Sequence, residues 1–524
     1  MTPLAAAALH QLTKHGSPRP ERSRLVEFLP LDPANRPAPF KRYPGLEAQL
    51  LPADLGATGI AAADVLSGQA EPAPAQLDGV VLARLLFFSG GVTRTANAGR
   101  TYFRPAMSAG NLHPIELYVV CADLPGVDAG VHHFAPKDFG LTTLRSDDWR
   151  PVLAAAAAEP AVATAPCTVV ITGIPWRTAW KYGERGYRHL YWDAGTLLAN
   201  LLAEAEAHGL PARVLLGFVD SEVARLVGVD EIEEFPLALA VLGAGGERAT
   251  KPGPGRLEPL QVEVAPLSPR PLTFPLITEA QQAGALGDGE AVAAWRSAAG
   301  RDGEPAAPIA VPQTAGRRAI EEVILRRGST RVMRRVGAPA ALLRWGMSVA
   351  SGPVPSDVRG ASLLEHWLSV HAVADVEPGT YRWRAGRLEP GRSGDFREEA
   401  QQLCLNQPLG GDSAYTAFHC SDLDAVVDVL GSRGYRAAQL EAGVAAGRLA
   451  LAAFTLDCGA TGLTFFDDQV SRFFATPAAC MLVTSVGVPA YRNTPGGTPG
   501  AATELVGFDR LMAKLSLQLD RARR

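Results

Sequence analysis

The stretch RTYFRPAMSAGNLHPIELYVV at residues 100–120 decides how the rest of this sequence is interpreted. Its end, IELYVV, is a short apolar run rich in β-branched residues, which is typical of a buried strand. Ahead of that run lie the small residues of SAGN (108–111, the SAGN loop), where other groups can approach the backbone closely. Further upstream, LDGVVLARLLFF has apolar residues at helical spacing and stops at Gly90 and Gly91. The order predicted is helix, open loop and buried strand.

The elements that follow complete one mixed unit. CTVVITG (167–173) and PLALAVLGAGG (236–246) are further apolar runs that predict strands. Between them, DAGTLLANLLAEAEAHGL predicts a helix with Asp193 as its N-cap and Gly209 just beyond its end. After residue 315 a similar order returns. A helix ending in a basic turn (GRRAIEEVILRRGSTR) is followed by a strand (EHWLSVHAVA), a long helix that Gly459 closes, and a strand (CMLVTSVG).

Two sequence matches indicate that this second order is a repeat. Arg-Gly-Tyr-Arg occurs at 185–188 and again at 433–436, and Ala-Gly occurs at 194–195 and 442–443. Both pairs lie 248 residues apart, and a helix and a strand follow each match. A period this long favours duplicated domains over a solenoid. We therefore divide the chain into an N-terminal extension (1–75), a first domain (76–250), a Pro/Gly/Ala-rich linker wrapping the surface (251–315) and a second domain (316–524).

Composition narrows the class of protein. The 524 residues include 50 basic and 54 acidic ones, so no concentrated positive charge suggests a nucleic-acid partner. The six cysteines are scattered without a C-x-x-C, which predicts no metal site and small buried thiols in a reducing compartment. No basic, apolar leader and no long apolar run occur, so we expect a cytoplasmic protein without a membrane span.

Three motifs in the first domain carry a resemblance to a known family. FSGGVTR, the 100–120 stretch and WKYGERGYRHLYWDAG (180–195) together resemble the SagB-type azoline dehydrogenases, a branch of the FMN-dependent nitroreductase superfamily. The family patterns are S-x-G-x-T-R, R-x-x-P-S-A-G-x-x-x-P-x-E-x-Y and K-Y-x-x-R-x-Y-R. One departure is Met107, which stands where the pattern has proline and leaves the loop less rigid. The resemblance is strong over about 1–250 and weaker over about 317–492.

The resemblance implies an α+β fold in which two nitroreductase-like domains form an intramolecular pseudo-dimer around FMN. In that superfamily the flavin lies at a two-fold interface, with its phosphate and its ring held from different sides. One composite site would combine the SAGN loop of the first domain with the basic turn and the end of the second. Its candidate cofactor-binding residues are Ser108, Ala109, Gly110, Asn111, Arg327, Ser329, Arg331 and Arg492. Arg104, from the first domain's motif, is a further candidate cofactor-binding residue.

A reciprocal composite site is the alternative for the flavin. It would combine Arg94, also a candidate cofactor-binding residue, with PVPSDVRG around Pro355 and Ser356. The offset of 248 places Val429 and Leu430 where the first domain has Lys-Tyr. We therefore expect the first composite site to work and the reciprocal one to be decayed or structural. The alternative reading of RRGSTR is a solvated basic helix end.

Lys181 and Tyr182 are the candidate catalytic residues. Oxidising an azoline ring to an azole removes a proton from carbon and a hydride from its neighbour, and flavin N5 accepts the hydride. A lysine desolvated beside the flavin has a pKa lowered towards neutrality and can accept the proton. The competing interpretation is an ordinary surface dipeptide on a helix. Because Arg-Gly-Tyr-Arg recurs in the copy without Lys-Tyr, we predict for it a structural role as an ion pair at the domain interface.

The expected substrate is a ribosomally made peptide or a small molecule, and the expected partner is a cyclodehydratase that makes the azoline. A flavin-dependent dehydrogenation of another small molecule or peptide remains open, and so do two rival functions. One is an NAD(P)H-dependent nitro- or quinone reductase, and the other is a flavin-free scaffold that binds a peptide or a partner enzyme.

Overall fold

The structure is a computed structural model that describes residues 5–16, 31–246, 257–300, 308–358 and 362–507. Up to residue 246 the helices are α1 (Ala5–Leu12), α2 (Ala62–Leu66), α3 (Gly79–Gly90), α4 (Arg150–Ala156), α5 (Ala161–Thr164), α6 (Pro175–Tyr182), α7 (Gly186–Ala207) and α8 (Asp220–Val227). The strands there are β1 (Ala48–Leu50), β2 (Arg94–Ala96), β3 (Thr101–Phe103), β4 (Ile115–Cys121), β5 (Gly130–Ala135), β6 (Gly140–Ser146), β7 (Cys167–Gly173), β8 (Ala212–Leu215) and β9 (Phe235–Leu242).

The remaining elements lie after residue 257. The helices are α9 (Pro275–Ala283), α10 (Gly289–Ala298), α11 (Ile320–Arg326), α12 (Ala340–Ala350), α13 (Arg397–Leu403), α14 (Leu409–Asp412), α15 (Leu423–Thr455, broken at Gly431) and α16 (Asp467–Phe474). The strands are β10 (Met333–Arg334), β11 (Glu365–Val370), β12 (Gly379–Arg384), β13 (Arg387–Ser393), β14 (Tyr415–Ser421), β15 (Gly459–Leu463), β16 (Ala479–Pro489) and β17 (Thr503–Leu505).

Two large antiparallel sheets form the framework of a mixed α/β fold. The first has the order β1-β6-β5-β4-β7-β9-β8, and the second has the order β10-β16-β14-β11-β12-β13, with β15 also on β16. The predicted strand β4 lies near the centre of the first sheet, and all seven of its residues are buried. They alternate between two cores, because Leu117 and Val119 face one side and Tyr118 and Val120 the other. A strand buried on both faces explains why its sequence is an unbroken apolar run.

Helices α7 and α15 cross in close contact. A Cβ added to Gly195 on α7 would lie 2.3 Å from the carbonyl oxygen of Leu440 on α15. A Cβ added to Gly443 on α15 would lie 2.5 Å from the carbonyl oxygen of Trp192 on α7. No other residue has a side chain small enough for this approach. The repeated Ala-Gly pairs therefore lie where the two parts of the chain touch.

The repeated Arg-Gly-Tyr-Arg motif forms ion pairs across the same interface, as predicted. Arg185 and Arg188 contact the Asp467 carboxylate at 2.9 and 2.6 Å. Their counterparts Arg433 and Arg436 contact the Asp220 carboxylate at 2.6 and 2.8 Å. Each aspartate is the first residue of its helix, α16 and α8 respectively, where the helix dipole also favours a negative charge. Each part of the chain thus supplies the arginines for a carboxylate of the other.

Two predicted helix ends were wrong. Helix α7 begins at Gly186, so Asp193 lies inside the helix and does not cap it. The aromatic residues before Asp193 are buried and extend the helix by two turns. Helix α15 ends at Thr455, and Gly459 begins strand β15 instead of closing the helix. In both cases tertiary packing outweighed the local end signal.

The segment 251–315 is more than a surface linker, because α9 and α10 lie within it. Trp295 of α10 is buried and donates its indole N–H to the Leu430 carbonyl oxygen at 3.0 Å. Its neighbour Arg296 donates to Asp357 at 3.3 Å and to the carbonyl oxygens of the first sheet's loops. The Pro- and Gly-rich composition concealed these anchors. In the described ranges we found no helix with the length and apolar character that crossing a membrane requires.

Candidate functional site

A cleft of about 290 Å³ lies between the two parts of the chain and collects arginines from both. Its lining includes Arg94, Arg104, Arg327, Arg331 and Arg492, and none of the described residues that line it is an aspartate or glutamate. The sides interlock. Arg327 donates to the Pro105 carbonyl oxygen at 2.6 Å, and Arg94 donates to the carbonyl oxygen of Thr494 at 2.7 Å. Residues far apart in sequence therefore build one cationic cleft.

The charge of this cleft is not compensated by its own walls. Burial, followed by the nearby charges of Arg94 and Arg331, lowers the pKa of Arg327 to about 9. Burial lowers the pKa of Arg94 to about 10. A buried guanidinium normally has a carboxylate or phosphate partner, because charge-assisted hydrogen bonds repay its lost hydration. The donor set therefore fits an anionic group such as a phosphate.

The SAGN loop forms one wall of the cleft, and left-handed backbone shapes it. Gly110, Asn111 and His113 have φ values of 63°, 57° and 46°. The Asn111 carboxamide donates to the Tyr102 carbonyl oxygen at 2.9 Å and bonds His113 Nε2 at 2.8 Å. Burial, with the charges of Arg104 and Arg177, holds the pKa of His113 well below its ordinary value, so this ring is neutral. His113 is thus a hydrogen-bonded wall residue of the cleft.

Lys181 and Tyr182 end helix α6 directly against this loop. A Cβ added to Gly110 would lie 2.9 Å from the Tyr182 hydroxyl and 3.3 Å from Lys181 Nζ. Although the Lys181 side chain as a whole is exposed, partial desolvation and then the charges of Arg331 and Arg36 lower its pKa. The next residue, Gly183 (φ 54°), is where the helix ends. The dipeptide therefore faces the loop and the arginine cleft.

Tyr182 is held in place by its aromatic neighbour. Its ring stacks on that of His189, with centroids 4.2 Å apart and planes at 8°. Burial, with the nearby Asp193, raises the pKa of Tyr182, so its hydroxyl stays protonated at neutral pH. A protonated phenol that is fixed in this way can donate a hydrogen bond to a substrate heteroatom.

Eight of the ten candidate cofactor-binding residues line the same cleft: Arg94, Arg104, Ser108, Asn111, Arg327, Ser329, Arg331 and Arg492. Ala109 and Gly110 are not part of this lining: Gly110 lies against Lys181 and Tyr182, and the Ala109 amide donates to Asp193. The assignment of Arg94 to a reciprocal site with Pro355 and Ser356 was wrong. Pro355 instead accepts from Val214 at 2.7 Å, in a separate part of the fold.

Sequence reasoning missed Asp193 as a site residue. Its carboxylate accepts from the Ser108 hydroxyl at 2.5 Å and from the Ala109 amide at 3.2 Å. Burial raises its pKa to about 7, and these two hydrogen bonds moderate the increase. A carboxylate between aromatic residues and the apolar stretch that follows was the signal that could have revealed it, because a buried charge needs partners.

The residues of the cleft fit FMN, the flavin that the sequence resemblance implies. Arginines that have no carboxylate partner among the described lining residues supply donors for a phosphate, and the SAGN loop brings backbone close to an open wall. Because Gly110 has no Cβ, the side chains of Lys181 and Tyr182 on α6 can lie directly against the loop.

Comparisons with known proteins agree with this fold. The sequence model of the Nitroreductase family matches residues 92–244. MJ1384 of Methanocaldococcus jannaschii, named as a nitroreductase, is 30% identical over 163 residues, which cover 31% of this chain and 78% of that protein. The microcin B17-processing protein McbC of Escherichia coli is 26% identical over 151 residues, 27% of this chain and 54% of McbC. The chain therefore spans about half the length of McbC.

A solved structure matches almost the whole chain. The crystal structure of a nitroreductase-type protein from Anabaena variabilis ATCC 29413 superposes with a TM-score of 0.69 at 26% identity, covering 93% of this chain and 99% of that one. The chain belongs to the nitroreductase family. It is accordingly an oxidoreductase with a nitroreductase-like mixed α/β fold.

Proposed function

We propose that the chain is an FMN-dependent dehydrogenase that oxidises azoline rings to azoles in a ribosomally made peptide. The observation that carries this proposal is the position of Lys181 and Tyr182 against the SAGN loop, beside the arginine cleft. The similarity to McbC, whose name assigns it to processing of microcin B17, supports the substrate class. A cyclodehydratase that makes the azoline is the proposed partner. The six buried, free cysteines suit a cytoplasmic enzyme.

The proposal includes a tandem duplication, with nitroreductase-like domains at 76–250 and 316–524 joined as an internal pseudo-dimer. Support comes from the ion pairs of the two Arg-Gly-Tyr-Arg motifs, each made with an aspartate at the start of a helix in the opposite domain. Further support comes from two glycines at equivalent positions, one directly after α6 and one at the break in α15. Gly183 and Gly431 are 248 residues apart and share left-handed φ values of 54° and 62°.

We propose one flavin per chain, because α10 fills the reciprocal position. Leu430 lies 248 residues after Tyr182, and its carbonyl oxygen accepts the Trp295 indole N–H. A Cβ added to Gly217 would lie 3.1 Å from the same indole. Arg296 donates to the nearby Asp357 carboxylate. Side chains of the chain itself therefore occupy the space that a second flavin would need.

The proposed chemistry divides the work between cofactor and protein. FMN, when bound, supplies the hydride acceptor. Lys181 in its neutral form accepts the proton from the azoline carbon, because its lowered pKa makes that form accessible. Tyr182 donates a hydrogen bond to the ring heteroatom and orients the substrate. Arg94, Arg327 and Arg331 bind the cofactor phosphate.

The proposal is tested with the purified chain, FMN and an azoline-containing peptide. After removal of free FMN, we expect one flavin per chain by visible absorption. The peptide is then expected to lose the mass of two hydrogen atoms. A colourless protein would favour the peptide-binding scaffold. Rapid bleaching of the flavin by NADPH without oxygen, together with an unchanged peptide, would favour the nitro- or quinone reductase.

Arg331→Ala is expected to weaken FMN binding about 10- to 100-fold, because a hydrogen bond to a charged group contributes about 1.5–3 kcal/mol. Titration of the apoprotein with FMN measures the effect, and the difference from wild type should shrink as salt is added. Arg335→Ala is the matched control. This substitution removes the same charge from the same segment of the chain. The Arg335 side chain, however, pairs with Asp412 at 2.6 Å, away from the cleft. Equal losses in the two variants would remove Arg331 from the phosphate site.

A further inference from the structure

Asp193 is a buried carboxylate whose charge acts on Tyr182, and the chemistry described above does not use it. It lies on α7, where its side chain is about 5% exposed. Within the described residues no lysine, arginine or histidine forms an ion pair with it, and its recorded partners are Ser108 and Ala109. Burial of a carboxylate without a cationic partner costs free energy, so its presence here indicates a task.

Both partners of Asp193 belong to the SAGN loop, and a third contact extends the connection. The Ser108 hydroxyl donates to Asp193 and accepts the backbone N–H of His113 at 2.8 Å. Between these two points the chain passes through left-handed backbone at Gly110 and Asn111. A non-glycine residue in that region is strained and persists only when its surroundings hold it. The carboxylate and the Ser108 hydroxyl tie both ends of the strained segment.

The second part of the chain contains the same anchor without the strained loop. Glu441 lies on α15, 248 residues after Asp193. Its carboxylate accepts from the Ser362 hydroxyl and, at 3.2 Å, from the Leu363 amide. There the chain enters β11 at Glu365, three residues after the serine, whereas β4 begins seven residues after Ser108. The four additional residues of the first part form the turn that faces Lys181 and Tyr182.

We propose that Asp193 is a positioning residue, which holds the SAGN loop in the conformation that faces the flavin and Lys181–Tyr182. The inference rests on the flavin site proposed above. Glu441 makes the equivalent contacts where no flavin is expected. Comparing variants of the two residues therefore distinguishes a general role in holding the backbone from a role in shaping the flavin site. The pKa of about 7 for Asp193 agrees with a carboxylate that the fold keeps out of water.

The first experiment needs no cofactor. Hydrogen exchange at the amides of residues 109–113 is compared in the apoproteins of wild type, Asp193→Asn and Glu441→Gln. The carboxamide of Asp193→Asn offers one acceptor oxygen in place of two, so it cannot accept from both the Ser108 hydroxyl and the Ala109 N–H. We expect exchange of these amides to rise at least about tenfold in Asp193→Asn and to stay unchanged in Glu441→Gln. Unchanged exchange in Asp193→Asn would overturn the proposal.

The second experiment uses the FMN-loaded protein and a signature that a purely structural role would not change. Asp193→Asn is expected to shift the visible flavin absorption band, while Glu441→Gln leaves it as in wild type. Faster exchange with an unaltered flavin band would mean that Asp193 only stabilises the chain, which also overturns the proposal. If wild type binds no FMN, the proposed function fails, and hydrogen exchange alone decides whether Asp193 anchors the loop. Misfolding of Asp193→Asn would be recognised by loss of exchange protection throughout the first sheet. In that case Ser108→Ala, which removes the hydrogen bond between Ser108 and Asp193, replaces it, and the expected outcomes are the same.

Discussion

Lys181→Ala is expected to retain bound FMN and to lose turnover by about 10²- to 10⁴-fold, the usual contribution of a positioned base. The Lys181 ammonium group lies beside Gly110, and Lys181 is not among the described residues that line the arginine cleft. Removing it therefore leaves the proposed phosphate contacts in place. The measurements are the flavin content by visible absorption and the rate of azoline oxidation by mass spectrometry.

The pH dependence provides a second readout of Lys181. Only the neutral amine accepts a proton, so activity should rise with pH through the lowered pKa of Lys181. That rising limb should be absent from the residual activity of Lys181→Ala. Lys137→Ala, an exposed lysine in the turn between β5 and β6, is the control and should behave as wild type. Full activity of Lys181→Ala would end its role as the base.

Asp467→Asn is expected to lower the free energy of unfolding by about 3–5 kcal/mol, because it leaves two buried arginines without their carboxylate. Urea unfolding of the apoprotein at neutral pH measures the change. The neighbouring Asp468→Asn is the matched control. Asp468 pairs with Lys14 at 2.7 Å nearer the surface, and such pairs contribute about 1 kcal/mol or less. Similar losses in both variants would contradict the interface role of Asp467.

The same ion pairs predict how stability depends on pH. Burial alone would raise the pKa of Asp467, but Arg185 and Arg188 outweigh it and hold the pKa below its ordinary value. The stabilisation is therefore complete above the unfolded-state pKa, which is near ~4, and is lost as the pH falls towards the folded-state pKa. Wild type should lose stability below about pH 4, and Asp467→Asn should show a weaker loss over that range.

Features with a local physical cause were predictable from the sequence. Strands β4 and β7 are apolar runs because both faces of their sheet are covered, and that pattern is visible without a structure. The interface role of Arg-Gly-Tyr-Arg followed from its recurrence where Lys-Tyr is missing. Its partners Asp467 and Asp220 did not, since no local signal joins residues more than 200 positions apart.

Features that depend on packing were not predictable in this way. Asp193 has the residue type of a helix cap, and only the buried aromatic turn before it shows that α7 starts earlier. The α10 segment has the composition of a linker, and Trp295 acquires its meaning only from the Leu430 carbonyl oxygen and Gly217 that surround it. Arg94 was predicted to bind the cofactor, but the sequence around it does not show which cleft its side chain enters.

The short connection between Ser362 and β11 has a consequence for how such a protein can change. In an assembly of identical subunits, one mutation alters every copy of the site, so deleting the turn would destroy all catalysis at once. Under the proposed duplication, each gene half mutates alone. One half was therefore free to discard its turn and its Lys-Tyr pair and to specialise in cradling the phosphate, while the other kept the chemistry.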